Sequence, residues 1–501
     1  MYYGMKEQVI EAISGVCQEL YNVEAIIEVD RPEEQFGDFS CNVAMRLAKP
    51  LNKNPREIAQ EIVGMLQSNQ LFESASVAGP GFINLTLKDS VLLESLNFKH
   101  SNSLNGLKVL VEYSDPNPFK PLHAGHLYTT LVGDIIARLV ENAGAETIRI
   151  NYGGDVGLHV AKSMWAIVEH LGGEHPEKLA EIDADSRSTW LGERYVEGNN
   201  AYEELAHAKQ EIVQTNKAIY KVQSDNDHES DFAKIYWTAR EWSYDYFRKL
   251  YKQLEVTEFD RFIPESEVTK LGYDTVITQL ENGVFEQSEG AVIFNGEQYG
   301  LHKRVFINSE GIPTYEAKDV GLSLTKWNDY NFDESIIITA NEQAQYMEVV
   351  IKAIEQFEPE PAQKTRHLTH GLVKLAGGEK MSSRKGNILL AQDMLSAARA
   401  AGQKSGNAKD ESTVLAALKY ALAKNRIGGD IAYNPDESVA MEGNSGPYLQ
   451  YAHARACSIM AKTKTKPELA VEKLEDSERS LARKLSEYTE VIELSTNELE
   501  P

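Results

Sequence analysis

The spacing of apolar residues changes several times along the chain, and each change marks a segment. From position 107 the run Leu-Lys-Val-Leu-Val-Glu-Tyr is apolar and β-branched, the pattern of a strand buried in a parallel sheet. Leu127, Leu131, Ile135 and Leu139 then repeat every four residues, which lays one apolar face along a helix, and Asn142-Ala143-Gly144 supplies its stop. A second strand with β alternation covers 146–152 and leads into Gly153-Gly154-Asp155-Val156-Gly157. From about 160 to about 260 the pattern is almost entirely helical, an insertion in the sheet. Short apolar strands resume at 291–294, 304–307, 335–339 and near Leu372, as expected for the second half of the same sheet, and beyond about 410 everything reads as helix. Upstream, 5–20 and 41–68 read as helices, the latter interrupted by Pro50 and Pro55, while 75–79 and 81–87 form a short hairpin. The Ser- and Asn-rich stretch 97–106 is a linker.

Two short segments about 250 residues apart carry chemistry. The first, His123-Ala124-Gly125-His126, lies where the strand at 107–113 hands over to a helix. In an open α/β sheet of Rossmann type that is the carboxyl end of a strand, where ligands settle, and the helix amino terminus favours phosphate. Gly125, without a side chain, lets a nucleotide approach the backbone. Two imidazoles three residues apart can both donate hydrogen bonds to phosphate oxygens as charge builds in a phosphoryl or nucleotidyl transfer. The second segment, Lys380-Met381-Ser382-Ser383-Arg384-Lys385-Gly386-Asn387, is a loop flanked by glycines with two hydroxyls and three cations. That composition suits a clamp on a polyphosphate leaving group, Lys380 as a point charge and Arg384 and Lys385 on further oxygens. Either segment alone is weak, since His-x-x-His is also a metal-ligand spacing; their joint occurrence in order is far more specific.

Length and charge narrow the class. A chain of 501 residues exceeds what a single core supports and predicts about three domains. No apolar run approaches a membrane span and the amino terminus is no signal peptide, so a cytoplasmic protein without membrane contact is expected. Cys17, Cys41 and Cys457, odd in number and far apart, argue against a disulfide framework and a zinc site. A net charge of −25 opposes nonspecific nucleic-acid binding, so any RNA contact must come from local basic patches. Arg46, Lys49, Lys53 and Arg56 form one candidate, Arg455, Lys462, Lys464 and Lys466 another.

With both segments in place the chain resembles the class I aminoacyl-tRNA synthetases, whose motifs are His-x-Gly-His and a Lys-Met-Ser-Lys-Ser-like loop. More narrowly it is similar to the arginyl-tRNA synthetases. Glu-Tyr-Ser-Asp-Pro-Asn-Pro-Phe-Lys-Pro-Leu-His-Ala-Gly-His at 112–126, Gly-Ile-Pro-Thr-Tyr-Glu-Ala-Lys-Asp at 311–319 and Gly-Pro-Tyr-Leu-Gln-Tyr-Ala-His-Ala-Arg at 446–455 carry that likeness. Segments 36–44 and 77–85 resemble the family's extra amino-terminal tRNA-binding domain. The resemblance implies an α/β fold: a Rossmann-type parallel-sheet catalytic domain at 101–410 with its helical insertion at about 160–260, a small amino-terminal α+β domain at 1–100, and an all-helical carboxyl-terminal anticodon-binding domain at 411–501. It implies ligation of L-arginine to tRNA(Arg) through an arginyl-adenylate, with ATP accompanied by Mg2+, and a monomer. The resemblance further implies a dependence of adenylate formation on bound tRNA.

Recognition of arginine sets a chemical demand. A guanidinium presents five donors in a planar fork and no acceptor, so its pocket needs a carboxylate and further acceptors. Asp319 and Tyr315, spaced to share one side of a helical turn, match the family positions that read the arginine side chain. Glu112 and Asn117 match residues that hold the substrate's α-amino and backbone groups, and Gln343 matches another pocket residue. An acid at the end of a buried strand must in any case find a partner. On the nucleotide side the resemblance implies catalytic roles for His123, His126, Lys380, Arg384 and Lys120, and ATP contacts from His123, Gly125, His126, Lys380, Met381, Ser382 and Ser383. Asp155 suits either a ligand contact or a structural turn, His159 suits packing or orienting a neighbour, and Tyr448, Gln450 and Tyr451 suit packing of the carboxyl-terminal domain or contact with RNA, packing being favoured.

One departure stands out: the family's carboxyl-terminal domain continues for several helices past the segment matching 480–501, so either a truncated gene product or a reduced anticodon domain is expected. Two other classes stay open at this stage. One is a nucleotidyl-transfer enzyme of the same fold, a cysteine-specific synthetase or a pantothenate-type ligase; the other is a noncatalytic RNA-binding paralogue, against which both histidines and Lys380 weigh.

Overall fold

The computed structural model describes residues 4–97, 102–376, 389–407, 410–463 and 473–501. The chain forms two compact units, Met1–Ser101 with Ile459–Leu499, and Asn102–Ser458 with Glu500–Pro501.

The larger unit is built on a five-stranded sheet in the order Thr365–His370, Glu334–Ala340, Lys108–Glu112, Glu146–Gly153, Arg261–Pro264, with every pairing parallel. The first strand in sequence is the middle one. Successive strands are added on one side of it and then on the other, so the order reverses at Lys108–Glu112, and the crevice beyond its carboxyl end is where such sheets take ligands. Val109, Leu110 and Val111 are fully buried, as a strand covered on both faces requires. The helix Ala124–Asn142 follows directly, as its four-residue repeat predicts. Four long helices, Leu158–Leu171, Arg187–Glu204, Ala206–Ser224 and Asp231–Gln253, form the expected insertion and share a core that includes Val160, Met164, Ile219 and Tyr236.

Sheet membership differs from the sequence expectation in three places. Ala291–Asn295 and Lys303–Ile307 do not join the central sheet; with Glu286–Ser288 they form a separate antiparallel sheet. Only seven residues separate them, enough for a hairpin but too few for the crossover that parallel neighbours need. Arg261–Pro264 and Thr365–His370 are the two edges of the central sheet, the first only four residues long and the second polar but for Leu368, which hides both from a search for apolar runs. Beyond 410 the chain is not all helix: Ile431–Tyr433 pairs in parallel with Val373–Leu375.

Two helices of the larger unit pack unusually closely. A β-carbon on Gly272 of Glu265–Glu281 would lie 1.9 Å from the Ala317 carbonyl oxygen, and one on Gly321 of Tyr315–Tyr330 would lie 2.2 Å from that of Val268. Their backbones meet through glycine, and this contact brings Lys318 of one helix onto Glu265 of the other, 2.7 Å apart and both buried.

The smaller unit has a four-stranded antiparallel sheet, Val29–Asp30, Phe39–Cys41, Phe82–Leu87 and Phe72–Ala78. The 41–68 segment is two helices: Val43–Leu51 holds Pro50 in its last turn, and Pro55 opens Pro55–Leu66, where its missing N–H costs nothing. Phe39, Ile58, Ile62 and Leu85 lie in the shared core, and Arg479 of Asp476–Glu498 donates to Asp38. Among the described residues no helix is long and apolar enough to cross a membrane.

Candidate active site

Between the central strand and its helix the backbone takes an uncommon path. Ser114, Asp115 and Phe119 all have positive φ, 75°, 47° and 67°. For residues with a β-carbon this conformation costs about 1–2 kcal/mol each, and such strain persists only where surrounding contacts impose it. Here they do. Asp115 Oδ1 accepts the Tyr152 N–H at 2.8 Å, the Phe119 N–H donates to Ser243 Oγ at 3.0 Å, and Ser114 Oγ contacts Thr130 and Tyr251 hydroxyls, each at 2.7 Å.

The path delivers His123 to the N-cap of Ala124–Asn142. His123 Nδ1 accepts the His126 N–H and His126 Nδ1 accepts the His123 N–H, both at 3.3 Å, and the rings stack 3.7 Å apart. This reciprocal cap uses both Nδ1 lone pairs, so each neutral imidazole carries its proton on Nε2 and keeps it as a donor. Burial first, with Lys120 among the neighbouring charges, holds both histidines below the ordinary imidazole range, and neutral donors are the form present at pH 7. A β-carbon on Gly125 would lie 2.9 Å from the His123 ring, so glycine there keeps the imidazole in place.

Lys120 lies 5.0 Å from the centre of the Tyr195 ring, and burial together with Lys162 pushes its pKa down to about 8. It is an ammonium held at a cost that an anion would relieve. Lys380, Met381, Ser382, Ser383 and Arg384 lie outside the described residues. The segment that follows them is tied to the histidines: the Ala124 N–H donates to the Leu389 carbonyl at 2.8 Å and the Ala391 N–H to that of Leu122 at 2.9 Å.

A second group of side chains gathers where the strand order reverses. Glu112 ends the central strand, 3% exposed, and pairs with Lys326 at 2.6 Å. Lys326 also donates to Ser335 Oγ at 3.3 Å. Asp319, one helical turn beyond Tyr315, accepts from the Tyr346 hydroxyl at 2.5 Å. Burial chiefly, with Glu112 and Glu265 adding to it, pushes the Asp319 carboxyl up to about 7. Asp115 is likewise raised, by burial and then by Glu112. Glu112, Asp319 and Lys326 line one small cavity of about 20 Å³ with Leu322, Ser323 and Ile337. Glu112, Asp115 and Asp319 beside Lys326, with the Glu265–Lys318 pair near them, form a poorly solvated group in which carboxylates outnumber ammonium groups, and an added cation would let Asp319 ionise fully.

The other expected residues border this group with different partners. Asn117 Oδ1 accepts the Gly154 N–H at 2.8 Å, fastening the strand-to-helix segment to the turn after the next strand. The Tyr315 hydroxyl is 3.4 Å from His159 Nδ1, and its side chain is 52% exposed. His159 in turn meets the Gly154 carbonyl at 2.8 Å, and burial drives its pKa down to about 3. Gln343 is exposed just past the strand Glu334–Ala340. Asp155 resolves as structural: fully buried, it accepts from Arg240 Nε at 2.9 Å, the Ser266 N–H at 2.9 Å and Ser266 Oγ at 2.8 Å. Tyr448 and Tyr451 are exposed rather than packed, 42% and 47%. Sequence reasoning missed Asp115, Lys326, Tyr346 and the Glu265–Lys318 pair. Lys318 and Lys326 are cations on the buried side of the Tyr315–Tyr330 helix, among Ala317, Val320 and Leu322.

Comparison with known proteins agrees with this geometry. The family model described as "tRNA synthetases class I (R), catalytic domain" matches residues 89–435, that of the arginyl tRNA synthetase N terminal domain matches 4–87, and that of the DALR anticodon binding domain matches 449–501. The arginine–tRNA ligase of Treponema denticola is 28% identical over 98% of this chain and 88% of its own, and that of Porphyromonas gingivalis 28% over 94% and 84%. The solved Thermus thermophilus arginyl-tRNA synthetase superposes with a TM-score of 0.76 at 25% identity, covering 99% of this chain and 88% of that one. The Plasmodium falciparum enzyme, 20% identical with a TM-score of 0.74, shares the fold over 98% of this chain and 88% of its own. Paired imidazoles at the helix start, an acid-rich pocket at the point where the sheet reverses, and a catalytic-domain match over more than half its length place this chain in the arginyl-tRNA synthetase family of class I aminoacyl-tRNA synthetases.

Proposed function

We propose that this protein ligates L-arginine to tRNA(Arg) at the expense of ATP, through an arginyl-adenylate, releasing AMP and pyrophosphate. The observation that carries the choice of amino acid is the carboxylate cluster Glu112, Asp115 and Asp319 around Lys326. Asp319, with Tyr315 beside it, takes the guanidinium, while Glu112, Asn117 and Gln343 hold the α-amino and backbone groups. The arginine carboxylate then attacks the α-phosphorus of ATP, and the Nε2 protons of His123 and His126 stabilise the charge that develops on the phosphate. Lys120, Lys380 and Arg384 take the departing pyrophosphate, and Gly125, Met381, Ser382 and Ser383 contact the nucleotide. Mg2+ enters with ATP as part of the substrate. In the second step the 2′-hydroxyl of the terminal adenosine of the tRNA attacks the activated carbonyl and AMP leaves. No covalent enzyme intermediate is needed; positioning and electrostatics supply the rate.

The domain boundaries proposed are 1–100 for an additional tRNA-binding domain, 101–410 for the catalytic domain and 411–501 for helical anticodon contacts, in a monomeric cytoplasmic enzyme. ATP–pyrophosphate exchange with each of the twenty amino acids, with and without tRNA, tests the reading. Exchange with arginine alone, and only with tRNA present, is the expected result; exchange with another amino acid overturns the pocket assignment.

A further inference from the structure

A chain of hydrogen bonds joins the first turn of the Ala124–Asn142 helix to the strand Thr365–His370. Thr129 Oγ1 lies 2.9 Å from the Gly125 carbonyl oxygen and 2.6 Å from His370 Nε2, and His370 Nδ1 lies 2.8 Å from the Gly371 carbonyl oxygen. His370 is 1% exposed. Each of these three contacts needs one proton, and the two carbonyls at the ends have none to give. The threonine hydroxyl supplies one and a neutral imidazole one more, so the chain is a proton short. An imidazolium supplies two and satisfies all three contacts. The adjacent chain from Thr130 shows the difference: its contacts to the His126 carbonyl and Ser114, and from Ser114 to Tyr251, are also three, and three hydroxyl protons serve them with every group neutral.

We infer that His370 is a positioning residue for the paired histidines, fixing the Gly125 turn through Thr129 to the strand Thr365–His370, and that it does so fully only when both its ring nitrogens carry protons. Around it stand Tyr128, edge-on at 4.8 Å, with His123 and His126 on the helix side and Glu342 from the turn after Glu334–Ala340. Glu342 and the Gly371 carbonyl favour the cation, while burial opposes it more strongly and lowers the pKa. The link therefore tightens as pH falls. A cation at 370 also disfavours protonation of His123 and His126, which keeps them neutral donors over the same range.

This inference rests on the arginine-ligase reading, so its test has one arm that needs no reaction. In the full chain with 15N-labelled histidine, the His370 ring, assigned by its loss in His370→Gln, should show one protonated nitrogen at pH 8.5 and gain the second proton as pH is lowered toward 5. In arginine-dependent ATP–pyrophosphate exchange with tRNA, His370→Gln and Thr129→Val should match wild type in kcat at pH 8.5 and fall progressively below it, by up to about tenfold, as pH is lowered toward 5, with KM for arginine within about twofold of the wild-type value at each pH. Thr129→Ser should restore the wild-type profile. A His370 ring that gains no second proton down to pH 5, or variants whose deficit is the same across that range, overturns the inference. Exchange with no amino acid at all sinks the ligase reading while the NMR result still stands on its own.

Discussion

Asp319 is a carboxyl group whose ordinary preference for ionisation is suppressed until a cation arrives. Its pKa is pushed up to about 7, above the unfolded value near 3.9, chiefly by burial. The sign follows directly. The folded protein binds this proton more tightly than the unfolded one, so the group's contribution to stability is present below about pH 4 and is lost as pH rises through 7. Arginine binding must run the other way, since the guanidinium pairs with the ionised form. KM for arginine should therefore rise as pH drops below 7, approaching tenfold per unit, with KM for ATP nearly flat. Asp319→Asn keeps an acceptor for the Tyr346 hydroxyl but cannot ionise. It should raise KM for arginine by about 10- to 100-fold, the loss of a charge-assisted pair, while raising the melting temperature of the ligand-free protein at pH 8. Unaltered arginine kinetics would refute the pocket assignment. At Gly125 the expected effect is opposite in kind: in Gly125→Ala the new β-carbon meets the His123 ring at 2.9 Å, so kcat should drop about 10- to 100-fold while KM for arginine holds, as read by steady-state exchange.

At the scale of elements, the close approach of Glu265–Glu281 to Tyr315–Tyr330 is a second point of sensitivity. In Gly272→Ala the β-carbon would stand 1.9 Å from a backbone oxygen, and backbone does not swing aside as a side-chain end would. Overpacking of about 1–3 kcal/mol outweighs the roughly 1 kcal/mol gained in helix propensity, so the melting temperature should fall by several degrees. Because Lys318 and Asp319 ride on the displaced helix, KM for arginine should rise with it. Element type was legible wherever periodicity was strong, as in Lys108–Glu112 and Ala124–Asn142. Partnership was not. Nothing local to Ala291–Asn295 says whether it pairs within a hairpin or across a sheet, and only the seven-residue separation from Lys303–Ile307 decides it. The same holds for side chains. Glu112 finds Lys326 across 214 positions and Thr129 finds His370 across 241, distances over which no residue pattern extends.

For the whole molecule the governing quantity is a net charge of −25, which repels an RNA at long range and leaves binding to local contacts. The amino-terminal basic patch is partly spent within its own unit: Arg46 pairs with Glu28, and Lys53 with Glu61 at 3.1 Å. Lys49 and Arg56 are both exposed and carry the charge left over. If RNA phosphates meet this surface, few counterions are released on binding, and the salt dependence should be shallow for a protein of this size, with a log–log slope of roughly −2 to −4. Lys49→Glu with Arg56→Glu should then raise KM for tRNA and flatten that slope by about 2, while KM for arginine and ATP stay put. The measurement is aminoacylation of tRNA across 50–200 mM salt. Equal slopes in the wild type and the double variant would move the RNA contact off this patch, toward exposed cations such as Arg455 and Lys462 of the Gly446–Lys462 helix.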